Sequence, residues 1–147
     1  MGKVEEAIEK VKGFLDKMGV KYVYDEENKV IIAPYKIHER EFLVFVLFSD
    51  NWVTTAARIV NLSELPPNLD KERFFARLLT ETFYLSEVTY GLTKNGDVVA
   101  HAETHVDALD YENFRVEFHS VVAGIAYFIE NIEPELPAEA KGGPLYV

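Results

Sequence analysis

The sequence contains no cysteine and no glutamine, and only one tryptophan and two methionines. Without cysteine there are no disulfides, thiolate zinc sites or cysteine nucleophiles. The absence of glutamine beside frequent Glu and Lys leans toward a thermophilic source. There is no Lys/Arg cluster, and the formal net charge is −10. So acidic a chain is repelled by nucleic-acid phosphates and by anionic lipid, so neither is expected as a partner. The longest apolar run, "FLVFVLF", is far too short to cross a bilayer. The first residues, "MGKVEEAIEKVKGFL", mix charged and apolar positions and form no signal-peptide core, so a cytoplasmic location is expected.

What is present describes a folded domain. Of 147 residues, 48% are hydrophobic and 13% aromatic, enough for a sizeable core. One domain is expected over residues 1–133, followed by a C-terminal tail over 134–147, "PELPAEAKGGPLYV", whose composition is loop-like.

The apolar positions Val4, Ile8, Val11, Leu15 and Met18 recur at helical spacing, and Gly19 is a natural terminator. "VKYVY" and "KVIIAPY" read as strands around the turn-prone "DEEN". Pro34 lacks an amide hydrogen and belongs near a strand end or a sheet edge. "EFLVFVLF" does not alternate with polar residues, so both of its faces want cover, from a helix, a dimer mate or a client segment. "WVTTAARIV" returns as a fourth strand. A second helix spans about Leu69 to Tyr84, with Asn68 or Asp70 as N-cap. It is too broadly apolar for a single core stripe, which suggests a second contact surface.

A hairpin follows. The dipeptide Asn95-Gly96 invites a two-residue loop, but that register mixes apolar and charged residues on one face. A three-residue loop, Lys94-Asn95-Gly96, instead puts Val88, Tyr90 and Leu92 on a face with Val98, Ala100 and Ala102. It sends His101, Glu103 and His105 to the other face. Segregation of apolar residues favours this register. A last helix starts after Asp110 and carries Phe114, Phe118, Val121, Ile125, Phe128 and Ile132 in one stripe. Gly124 lies beside that stripe and suggests close approach to another backbone.

The run from Arg73 to Ile132 carries "YGLTKNGDVV" in the hairpin and "HVDALD" before the final helix. Through Gly91, the Asn95-Gly96-Asp97 turn and Leu109-Asp110, it resembles the YbjN family of sensory-transduction regulators, which shares its fold with the type III secretion chaperones. The resemblance implies an α+β fold with helices on an antiparallel sheet, frequent homodimers, and a binding or regulatory role without known chemistry. Those chaperones are also small and acidic, and they bind extended segments of client proteins. This chain departs from them in having four strands, rather than three, before the second helix.

Few residues point to chemistry. In "HAETH", His101, Glu103 and His105 share one strand face at about 7 Å per two residues, a spacing that needs favourable rotamers and further ligands to hold a metal. A solvated face is the simpler reading. No serine has a nucleophile-elbow context, no glycine loop can cradle a phosphate, and no cofactor is expected. The candidates for a partner or dimer interface are Phe74, Phe75, Phe83 and Tyr84 on the second helix, and Trp52, since tryptophan is enriched in interface hot spots. The expected function is non-enzymatic protein binding by a homodimer of chaperone, adaptor or regulator type, with an unidentified protein client. The alternative is a small metal-dependent enzyme or sensor using His101, Glu103 and His105.

Overall fold

The computed structural model describes residues 2–137. Helix α1 (Lys3–Met18) ends at Gly19, whose φ of 72° lets Gly19 and Val20 return their amides to Asp16 and Leu15. Strands β1 (Val23–Asp25), β2 (Val30–Ile37), β3 (Arg40–Phe48) and β4 (Trp52–Asn61) follow as an antiparallel meander. Helix α2 (Lys71–Tyr84) is capped by the Asp70 carboxylate, which accepts the Arg73 amide. Strands β5 (Thr89–Leu92) and β6 (Asp97–His105) form the hairpin, and α3 (Tyr111–Tyr127) is capped by Asp110. The strand order is β1-β2-β3-β4-β6-β5 in one open six-stranded sheet.

The hairpin adopts the three-residue loop. Leu92 pairs with Val98 and Tyr90 with Ala100, and Gly96 takes a φ of 87°. Strand β1 is shorter than "VKYVY" suggests and pairs only with Val30, Ile31 and Ile32. Beyond it β2 has a free edge, and Pro34 lies there, where it withholds no bond from a neighbour. In β4 the register shifts between Arg58 and Val60, and this bulge lets the consecutive Ile59 and Val60 both be buried.

The helices cover one face. Helix α3 packs on β4, β5 and β6, α1 packs on α3 and β3, and α2 packs on β5. The row Ala33, Val44, Ala57, Ala100 and Tyr90 runs under them and is buried throughout. Phe114, Phe118 and Phe128 of the last helix fill the space above it. Gly124 sits so close to the sheet that an added Cβ would lie 3.1 Å from Val88 and 3.2 Å from Ala100, and its carbonyl accepts the Tyr90 hydroxyl at 2.7 Å. Burial pushes that phenol up.

The final helix does not stop at Ile132. It widens into a π turn over Phe128–Ile132 and a 3-10 turn over Glu133–Glu135, after which Leu136 is again buried. Leu136 thus packs within the stretch 134–147 that was expected as a tail. Ion pairs hold this end to the body: Arg40 with Glu133 at 2.7 Å, and Arg77 with Glu135 at 3.1 Å. The rest of the expected tail, 138–147, lies outside the described residues.

Candidate interaction surfaces

Two apolar surfaces remain uncovered among the described residues. The first is the sheet face opposite the helices. Strand β3 alternates Phe42, Val44 and Val46 toward the helices with Leu43, Phe45 and Leu47 away from them. The non-alternating run thus has one covered face and one open face. Pairing places Phe45 between Ile32 and Ala56, and Ile32 beside Val23. Leu43 is 45% exposed and Trp52 48%, and Val23 is more exposed still. Trp52 stands at one end of this face, its ring edge-on to His105 at 5.3 Å.

The second surface is on α2. Phe83 is 80% exposed, Tyr84 75% and Leu79 69%. Phe75 is half-buried and lines, with Leu78, Leu79, Tyr90, Gly91, Leu92 and Val98, an almost wholly apolar groove of about 180 Å³. Phe74 differs from the other rings of this helix. It is 4% exposed and packs on Phe75 and Phe128 in the core, because its position on the helix turns inward. It offers no ring to a partner. Strand β5 is the sheet's edge on this side, and α2 partly closes it: the Thr82 hydroxyl accepts the Tyr90 amide at 3.0 Å. Leu79 and Leu92 belong to this surface too; their apolar character is plain in the sequence, but not that both face outward.

His101, Glu103 and His105 lie on the helix-free face of β6, while Ala102 and Thr104 between them are buried on the other. His101 Nδ1 is 2.7 Å from Glu103 Oε1, and its Nε2 lies over Gly91, where a Cβ would come within 2.9 Å. His105 Nδ1 instead accepts the Asp107 amide at 3.1 Å. The two rings are committed to different neighbours. Among the described residues no three His, Asp or Glu side chains are arranged to hold a metal ion.

Glu117 on α3 is perturbed by burial first, then by Glu87 and Glu103, and its carboxyl is pushed up to about 7. The folded state then holds a proton that the unfolded chain has already released. Stability should fall as pH rises from about 4.5 to about 7, and the penalty is fully present above that range. Glu117→Gln should flatten this segment of the curve and be the more stable protein at pH 8. Urea unfolding from pH 5 to 8 checks this, and parallel curves for the two proteins would refute it. The carboxyl of Asp97 is held low by Asn61 and Arg58, so it titrates below this window.

No family model matches the chain, and no curated protein matches it in sequence. Solved structures do match in shape. The ExsC–ExsE complex aligns with a TM-score of 0.63 at 15% identity, covering 94% of this chain and 98% of that one. YbjN from E. coli aligns with a TM-score of 0.62 at 14% identity, covering 85% and 92%. The Yersinia pestis type III secretion chaperone SycH, in complex with a fragment of YscM2, aligns with a TM-score of 0.54 at 10% identity, covering 81% and 96%. No described helix is long and apolar enough to cross a membrane. The chain has the fold of YbjN and of the type III secretion chaperones, with its helices on one face of an open antiparallel sheet.

Proposed function

We propose that the chain is a protein-binding domain of chaperone, adaptor or regulator type that works as a homodimer and performs no chemistry of its own. The observation that carries this reading is the uncovered apolar face around Leu43, Phe45, Leu47 and Trp52. A contiguous exposed apolar patch on a small acidic domain marks an interaction site. The free edge of β2 beyond Ala33 adds backbone groups that an extended client segment can pair with. ExsC is seen in complex with ExsE, and SycH with part of YscM2, which supports a protein partner for this fold.

The α2 surface suits a second copy. Phe83, Tyr84 and Leu79 are too exposed for a monomer that gains nothing from them, and the groove beside Phe75 can receive a ring. Light scattering at micromolar concentration should give the dimer mass. Phe83→Glu and Tyr84→Glu should shift it toward monomer with the circular dichroism unchanged, whereas Phe74→Glu should unfold the protein. A monomer mass for the wild type would remove the dimer from the proposal. For the function itself, a partner captured from native lysate should protect amides of β3, β4 or α2 from hydrogen exchange. Protection confined to His101–His105, or turnover of a small molecule with no protein partner recovered, would overturn the reading.

A further inference from the structure

One end of the sheet, bordering the helix-free face, carries unbalanced carboxylates, and this says what kind of segment that face takes. The β1–β2 turn, the β3–β4 turn and the C-terminal end of β6 come together there, because Ile31 pairs with Val46 and Trp52 with His105. Glu26, Glu27 and Asp50 project from these turns. All three are exposed and make no ion pair with any described residue. The cation of the β1–β2 turn is matched, since Lys29 binds Glu5 at 2.9 Å. Lys3 and Lys10 of α1 line a hollow with Val106 and Asp107 and so belong to the helix side of this end, while Lys36 and Arg58 lie toward the opposite ends of β2 and β4. Lys21, before β1, and Lys94, in the β5–β6 turn, lie away from this end.

The apolar area beside this acidic rim is bounded. Along β3 it runs from Leu43 to Leu47, about 13 Å at strand rise, and it crosses β1 to β4, about 14 Å at strand spacing. That is the footprint of a short segment and not of a whole domain face. Trp52 stands where the apolar area meets Asp50.

We propose that this face binds a short amphipathic segment of another protein, with apolar side chains on Leu43, Phe45 and Leu47 and Lys or Arg side chains against Glu26, Glu27 and Asp50. This rests on the protein-binding reading above and adds the chemistry of the partner. A like-charged segment would desolvate its carboxylates against unpaired carboxylates, so the rim discriminates as well as attracts.

Trp52 is the only tryptophan and reports on the face directly. The full-length protein is titrated with three synthetic twelve-residue peptides: an apolar pattern flanked by Lys, the same pattern flanked by Glu, and a Lys peptide without the apolar pattern. The Lys-flanked apolar peptide should blue-shift Trp52 emission and bind at least about tenfold more tightly than the Glu-flanked one at low salt. High salt should narrow the difference. Reversing the rim with Glu26→Lys, Glu27→Lys and Asp50→Lys should invert the preference, and Leu43→Ser should weaken both apolar peptides. Equal binding of the Lys- and Glu-flanked peptides would overturn the proposed chemistry and leave the protein-binding reading standing. Equal binding of the Lys peptide without apolar residues would overturn it as non-specific attraction. A Trp52 shift that follows protein concentration, with no peptide bound, would assign the face to a second copy. Absence of any shift would sink this proposal together with the sheet face as the client site.

Discussion

Phe118→Ala is expected to be the most damaging single substitution in the described part of the chain. Phe118 is fully buried, with Phe114 at 5.7 Å and Tyr35 at 5.9 Å between ring centroids. It is therefore one of the side chains that join α3 to the sheet. Truncating a buried phenylalanine removes its transfer energy and leaves a cavity, a loss of about 3–5 kcal/mol. Whole domains are stable by about 5–15 kcal/mol, so the variant should sit close to unfolding. Chemical denaturation at one fixed protein concentration should show the midpoint falling with the slope retained. A loss below about 1 kcal/mol would mean that the neighbouring rings close the gap and that this cluster does not anchor the helix.

The second large effect is expected at Gly124, and it is best read against Gly13. Both glycines lie inside helices, and helix propensity alone favours replacing either by alanine, by about 1 kcal/mol. Their surroundings differ. A Cβ at Gly13 meets nothing within 4 Å, so Gly13→Ala should stabilise the protein. A Cβ at Gly124 presses on Ala100, whose own Cβ is fixed to a central strand and cannot rotate away. A larger side chain also disturbs the Gly124 carbonyl that accepts the Tyr90 hydroxyl. Gly124→Leu should therefore destabilise by about 1–3 kcal/mol, as overpacking in a filled core does. Thermal melts of the two variants should move in opposite directions. A Gly124→Leu variant as stable as the wild type would show that α3 can lift from the sheet without loss.

The order of elements was legible in the sequence because local signals fix them. Asp70 and Asp110 are short acceptors placed just before apolar periodic segments, and each caps its helix. Gly19 and Gly96 stand where a left-handed backbone ends a helix or closes a turn. The hairpin register followed from segregating Val98, Ala100 and Ala102 from His101 and Glu103, since a one-residue slip exchanges the faces. Other features depend on contacts between distant parts of the chain, and the tertiary structure decided them. The run "EFLVFVLF" announced two apolar faces, but only the side on which the three helices settle shows that Leu43, Phe45 and Leu47 stay open. The rings of α2 read alike in sequence. Phe74 went to the core because Phe128 of the last helix meets it there, while Phe83 and Tyr84 point where no described element reaches. The histidines of β6 look like a ligand set in one dimension, yet Glu103 holds one and the Asp107 amide the other. The acidic rim exists only because register brings Glu26, Glu27 and Asp50, 24 residues apart at the widest, to one end of the sheet.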